Sequence, residues 1–297
     1  MTSVTAHLFR QVSRRLIKRN GLNSDQLVRH LRKQFNHPPG LTLLPRGIRH
    51  HRIDTDGFRG DVIAVANPQR AILYFHGGAY MAGTPRTYHN MAGRLAKALN
   101  AAVYLPVYPF APEHPFPAAV NSCLQAYRWL LDEGYDPAKI AIGGDSAGGG
   151  LTLSTLLNIK QEGLAKPACA FTFSPATDSR EQPSVAANDE RDAMLSADMI
   201  RTASEVYLPN PADRELPLAS PCLGDYSGLG PLMITVDRTE CLYDHATALR
   251  AKAQADGVLV EWLERDGLLH VWPTLVPWLP EARRDLKRVA AFLKRWL

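Results

Sequence analysis

The chain has 297 residues, 45% of them hydrophobic and 21% charged, with a net charge of +5 from 34 Lys and Arg against 29 Asp and Glu. That balance is ordinary for a soluble globular enzyme with a large core; no apolar run approaches the roughly 20 residues that a membrane-spanning helix needs, and the N-terminus lacks the apolar core of a secretory signal. Four widely spaced cysteines (Cys123, Cys169, Cys222 and Cys241) form neither a Cys-x-x-Cys pair nor a Cys/His cluster, so they read as reduced structural thiols of a cytoplasmic protein, with no metal or cofactor implied.

Residues 1 to about 45 read as two helices set apart from the rest. The first is basic: Arg10, Arg14, Arg15, Lys18 and Arg19 precede the first acid, Asp25, while Leu8, Val12 and Leu16 recur at helical spacing. Three readings compete for it: an amphipathic helix on a membrane surface, an Arg-rich targeting peptide, and a helix lying over an active site with its basic face merely solvated. The last is favoured for the fold argued below. Asn23-Ser24-Asp25 caps a second helix carrying Leu27, Val28 and Leu31, and His37-Pro38-Pro39-Gly40 stops it. Arg49 to Ile53 and Gly60 to Val65 suit a pair of opening antiparallel strands.

Strands and helices then alternate. Ala71 to Phe75 is a buried-type strand, Tyr88 to Leu99 a helix, Ala102 to Leu105 a strand, and Pro117 to Leu131 a helix that tolerates Pro in its first turn. Ile140 to Ile142 leads into a helix running to about Gln161, and Ala170 to Phe173, Leu232 to Val236 and Val258 to Trp262 supply the later strands. With the opening pair this predicts an α/β chain: a mostly parallel eight-stranded sheet with helices on both faces. Between Pro175 and Pro231 the alternation gives way to a polar, Pro-rich stretch with one helix, Ser196 to Leu208, whose Met199, Ala203, Val206 and Tyr207 share a face. An insertion there lies at the carboxyl edge of the sheet, where ligands bind. A last helix, about Pro280 to Leu297, has a stripe of Leu286, Val289, Leu293 and Leu297; its many Lys and Arg residues lie off the stripe and read as a solvated face, not a nucleic-acid surface. One catalytic domain follows, with cap helices over 1–45, a core over 46–179 and 221–297, and a cap insertion over 180–220.

The chemistry is concentrated in Gly144-Asp145-Ser146-Ala147-Gly148-Gly149, placed between a strand and a helix. Gly-x-Ser-x-Gly in that context is a nucleophile elbow: the serine sits on so tight a turn that its oxygen points away from the backbone, and glycines remove colliding side chains. Gly148, Gly149 and Gly150 would each cost a helix up to about 1 kcal/mol relative to Ala, which close packing behind a nucleophile offsets. The P-loop Gly-Lys-Ser/Thr and the dinucleotide-binding Gly-x-Gly-x-x-Gly spacing are both missing here. A serine needs a base, and His270, beyond the last strand, completes the Ser, acid, His order of α/β-hydrolases. The acid follows the strand Leu232 to Val236. Glu240 is favoured, with Asp244 and Asp237 remaining in play; whichever two are not used serve as caps or surface charge. Oxyanion donors are expected from the N–H groups of Gly77 and Gly78, in the loop His76-Gly77-Gly78-Ala79-Tyr80, and of Ala147. His76 itself reads as a structural hydrogen-bonder.

These pieces, together with Ala111-Pro112-Glu113-His114-Pro115-Phe116-Pro117-Ala118-Ala119, Ser174-Pro175 followed by Asp178, and Pro217-Leu218-Ala219-Ser220-Pro221, resemble the hormone-sensitive-lipase-like branch of α/β-hydrolases, the bacterial family IV esterases. The resemblance spans most of residues 70 to 275. It implies a lid made from the N-terminal segment and the 180–220 insertion, and a serine carboxylesterase acting on short- to medium-chain acyl esters through Ser146, His270 and Glu240, with no cofactor. It also leaves a homodimer open, since such enzymes often pair through their last strand and helix. Ala79 stands where a third Gly is common, Val107-Tyr108-Pro109 where Asp-Tyr-Arg is usual, and Glu240 where Asp is commoner. Two other functions fit the same parts: an arylformamidase-like hydrolase of small amides, and a non-catalytic ligand receptor, which would be expected to lack a triad member.

Overall fold

The structure is a computed structural model that describes residues 2–36 and 43–297. Eight strands, β1 (Arg49–Asp54), β2 (Arg59–Ala64), β3 (Arg70–Phe75), β4 (Ala101–Pro106), β5 (Ile140–Asp145), β6 (Cys169–Phe173), β7 (Leu232–Asp237) and β8 (Val260–Arg265), form one sheet in the order β1-β2-β4-β3-β5-β6-β7-β8. β2 pairs antiparallel with β1 and β4, and the remaining pairs are parallel. The last strand starts two residues later than its apolar pattern predicts. Val258 is drawn into the turn before it, its N–H donating to Ala253 O, next to Gly257 at φ +81°.

The two-residue strand period divides the core. Ile72 and Tyr74 face a layer built on α3 (His89–Leu99) and α9 (Pro280–Trp296), while Leu73 and Phe75 face α4 (Ala118–Asp132), α5 (Ala147–Gln161) and α8 (Tyr243–Ala255). On α9, Leu286, Val289 and Leu293 of the predicted stripe are buried, with Phe292 beside them. Every residue of α5 from Ala147 to Ile159 is buried, so this helix has no solvent face for an amphipathic pattern to mark.

A third apolar cluster lies over the carboxyl edge of the sheet. Leu27, Val28 and Leu31 of α2 (Ser24–Phe35) pack with Met199, Val206 and Tyr207 of α7 (Ala197–Tyr207), and with Met81, Ala82 and Ala111. Asn23 and Gln26 close a capping box at the start of α2; the stop expected at His37-Pro38-Pro39-Gly40 lies outside the described residues. The 180–220 stretch holds a second helix besides the expected one, α6 (Pro183–Ala187). Five residues are too few to show an apolar period, and α6 is held by Ser184, whose N–H donates to Asp244 and whose hydroxyl donates to Cys241 O.

The first helix, α1 (Val4–Leu16), overturns the expectation of a merely solvated basic face. Arg10 donates to Leu268 O (2.6 Å), Arg191 O (2.7 Å) and Thr239 Oγ1 (3.2 Å), Arg14 donates to Glu190 O, and Lys18 donates to the carbonyls of Asp189 and Asp192. The helix is thus held by its cations and by Ala6, Phe9 and Ser13, while Leu8, Val12 and Leu16 are exposed.

Candidate active site

β5 runs into α5 through Ser146, which has φ +52° and ψ −121°. An L-residue is strained there, and the strain is held from three sides: the Ser146 N–H donates to Phe173 O at 2.8 Å, and its carbonyl accepts from Gly150 N and Ala176 N. The glycines follow from contact. A Cβ on Gly144 would fall on the Gly148 carbonyl, and one on Gly148 on the carbonyl oxygens of Phe75 and His76. The helix therefore approaches β3 as closely as backbone allows.

Of the three candidate acids, Glu240 meets His270. Glu240 Oε2 lies 2.6 Å from His270 Nδ1, and both side chains are almost wholly buried. A carboxylate only accepts, so Nδ1 carries the proton and Nε2 is left as the acceptor; Nε2 is buried with no partner among the described residues. Glu240 Oε1 accepts from Ser174 Oγ at 2.7 Å and from Asp237 N at 2.9 Å, three donors in all for one carboxylate. Burial works against the charged imidazole, but the Glu240 carboxylate, with Asp192 and Asp145 further off, raises the His270 pKa above its ordinary 6.5.

The other two acids hold structure. Asp237, fully buried rather than a surface charge, accepts from Thr239 N, Thr239 Oγ1, Gly267 N and Leu268 N, tying the turn that carries Glu240 to the one that carries His270. Asp244 accepts from Ser184 N at 2.8 Å.

The glycine loop after β3 shifts the expected oxyanion donors. The Gly77 N–H is already engaged, lying 3.0 Å from Asp145 Oδ1 and 3.1 Å from Tyr88 Oη, so it is not available to a reacting oxygen. Gly78 N and Ala79 N have no acceptor among the described residues, and helix geometry leaves the N–H of Ala147, first residue of α5, free. Gly78 (φ +129°), Ala79 (φ +55°) and Tyr80 (φ +61°) carry the turn. His76 is structural as expected, its Nδ1 lying 2.8 Å from Gly77 O and its carbonyl accepting from Tyr108 Oη at 2.7 Å; burial lowers its pKa to about 4, so it stays neutral.

Two contributors were not legible as such in the sequence. Ser174 appeared only as part of a Ser-Pro pair; at φ +46°, its N–H on Thr235 O, it aims its hydroxyl at Glu240 and receives Val271 N. Asp145 appeared only as the variable position of the elbow. Its carboxylate accepts from Tyr74 Oη (2.9 Å), Tyr88 Oη (3.0 Å) and Gly77 N, and burial raises its pKa to about 6. The only earlier signal was position: each lies at the carboxyl end of a central strand.

Ser146, His270, Gly78 and Ala147 line one apolar cavity of about 590 Å³, roofed by Val12 and Leu16 of α1 and by Met199 and Tyr207 of α7. Tyr207 stacks on Tyr80 with ring centroids 3.7 Å apart. His245, also at the cavity, is a neutral support: its Nδ1 accepts from Thr177 N and Asp178 N, and burial lowers its pKa to about 4.

A strained serine between strand and helix, an acid-paired histidine and a glycine loop at one sheet edge define an α/β-hydrolase, and residues 72–274 match the family described as alpha/beta hydrolase fold. The chain is 39% identical over 226 residues to an acetyl-hydrolase of Streptomyces hygroscopicus, covering 76% of this chain and 75% of that protein. It is 32% identical over 238 residues to an esterase of Acinetobacter venetianus, covering 80% and 78%. A crystal structure of an esterase from the bacterial hormone-sensitive lipase family superposes with a TM-score of 0.90 at 32% identity, covering 100% of this chain and 99% of that one. The chain belongs to the bacterial hormone-sensitive lipase family of α/β-hydrolases and is a carboxylic ester hydrolase.

Proposed function

We propose that the protein is a serine carboxylesterase for short- to medium-chain acyl esters, working through Ser146, His270 and Glu240 and a covalent acyl-enzyme. The observation that carries this reading is the 2.6 Å contact from Glu240 to His270 Nδ1, which leaves Nε2 as an unpartnered acceptor in the cavity that Ser146 also lines. Ser146 Oγ attacks the ester carbonyl carbon as Nε2 takes its proton. The Glu240 carboxylate stabilises the imidazolium and holds its orientation. The carbonyl oxygen becomes an oxyanion held by the N–H groups of Gly78, Ala79 and Ala147; the tetrahedral intermediate then collapses, and the alcohol leaves with the proton from Nε2. Water, deprotonated by the same nitrogen, attacks the acyl-enzyme and releases the acid and Ser146.

The cavity supports the substrate class. Its apolar lining and its volume of about 590 Å³ suit an acyl chain of a few carbons with a small alcohol, and the acetyl-hydrolase similarity points to the short end of that range. Residues 2–36 and 180–220 act as the cap that excludes water from this space.

A p-nitrophenyl ester series from acetate to palmitate, run beside aryl formamides and a Ser146→Ala control, tests the reading. The expected result is hydrolysis peaking at short acyl chains and falling by about 10⁶-fold in Ser146→Ala with an unchanged circular dichroism spectrum. Ester turnover that survives in Ser146→Ala, or turnover confined to the formamides, overturns it.

A further inference from the structure

We propose that the outward face of α1 is a docking surface for an anionic lipid bilayer, which seats the mouth of the cavity on the membrane. Val4, Leu8, Val12 and Leu16 repeat every four residues and are 88, 57, 46 and 53% exposed, a ridge about 18 Å long at the helical rise. Apolar side chains at such spacing ordinarily face the core. Here the core is faced by Ala6, Phe9 and Ser13, and the polar side of the helix grips the enzyme through Arg10, Arg14 and Lys18.

The chemistry of the ridge selects the occupant. Arg15 falls within the same sector of the helix and is exposed, with Arg14 beside it. No acid occurs before Asp25, and among the described residues Lys18 is the one cation of residues 2–24 that an acid pairs, Asp189 at 3.4 Å. A second copy docked face to face would set like charges together, whereas anionic headgroups complement them and the ridge reaches the acyl boundary. Exposed Trp278 lies on the same rim, between Leu275, which packs in the cluster with Phe9, and Glu281, which accepts from Ser3. Indole rings favour that depth of a membrane. Val12 and Leu16 belong both to the ridge and to the cavity lining, so an amphiphile leaving the bilayer meets the site without crossing water. No helix among the described residues is long and apolar enough to cross a membrane, and the association is peripheral.

Sedimentation of the full chain with phosphatidylglycerol/phosphatidylcholine vesicles, with phosphatidylcholine vesicles, and without lipid tests the proposal independently of turnover. Binding to the anionic vesicles that weakens with salt is expected. The double variant Val4→Asp/Leu8→Asp and the single variant Arg15→Glu, none of whose positions line the cavity, should each lower the bound fraction about tenfold while circular dichroism and hydrolysis of a soluble ester stay unchanged. Absence of anionic binding, equal binding to both vesicle types, or binding that survives Val4→Asp/Leu8→Asp overturns it. A concentration-dependent dimer without lipid that Val4→Asp/Leu8→Asp dissolves also overturns it, assigning the face to a second copy.

Discussion

At the carboxyl edge of the sheet, the groups around Ser146 are held by positive backbone angles and buried hydrogen bonds; the helices above them rest on side-chain packing and on a few long cations reaching for carbonyls. Ser146, Ser174, Ala79 and Tyr80 all have positive φ, and Glu240, Asp145 and Asp237 each accept three or more hydrogen bonds from buried groups. The cap offers Leu27, Met199 and Tyr207 in apolar contact, and Arg10 and Arg32 as polar tethers to the floor. A floor built this way is preorganised for charge that develops in a transition state. A roof built this way is adjustable and sets what fits. Damage to the floor should therefore appear in kcat, and damage to the roof in KM.

The largest effect short of removing the nucleophile is expected from Glu240→Gln, which keeps the shape but supplies a donor as well as an acceptor. It should lower kcat by about 10,000-fold and shift the pH profile. His270 must be neutral to act, and its pKa is raised in the native enzyme, so kcat/KM falls as pH drops through a value on the alkaline side of 6.5. Without the carboxylate, burial dominates and the acid limb of the residual activity should move to lower pH. An unmoved limb would break the assignment of Glu240 as the partner that sets it.

Asp145→Asn should lower kcat about 100-fold with little change in KM, because the hydrogen bond that anchors the Gly77 turn weakens and the N–H groups of Gly78 and Ala79 lose their aim. Stability provides a second readout. The folded pKa, about 6, lies above the ordinary 3.8, so the protonated carboxyl contributes stability that is fully present below 3.8 and lost as pH rises through about 6. Urea unfolding across that window should show the decline in the parent and not in Asp145→Asn.

On the roof, Tyr207→Ala removes a ring stacked on Tyr80 and should raise KM for a butyrate ester about tenfold while kcat changes less than about threefold. A fall mainly in kcat would mean that roof and floor are not separable. Arg10→Ala addresses the link itself, since that side chain reaches Thr239, next to Glu240, and Leu268, two residues before His270. A cost of about 1–3 kcal/mol in urea unfolding, with kcat lowered only a few-fold, is expected.

Much of the floor was legible because its constraints are local. The elbow glycines, the glycine loop after a strand and the order Ser, acid, His follow from chain geometry within a few residues, and the strands from β3 onward emerge from apolar runs bounded by turns, whereas the opening pair has a looser pattern. Among three carboxylates within Asp237 to Asp244 the sequence favours Glu240 but leaves the other two in play, since the choice depends on which one faces a histidine 30 residues away. Of the expected oxyanion donors, Gly77 N is taken up by a carboxylate 68 residues along the chain, a contact that no local motif reveals. Helix α6 is absent from the sequence reading because a tertiary hydrogen bond, not apolar period, defines it, and β8 starts later because the turn after α8 takes up Val258.

The sequence by itself determined the sheet, the serine between strand and helix and the histidine that follows the last strand, because periodicity, glycine placement and motif order act over short distances along the chain. Only the tertiary structure decided that Glu240 and not Asp244 meets His270, that Asp145 and Ser174 support the site, and that α1 turns its leucines outward. Those outcomes rest on which distant carbonyls and carboxylates reach a given side chain. A helix with both an apolar stripe and a basic stripe can bury either one, and here the carbonyls of Arg191 and Leu268 stand where Arg10 can reach them.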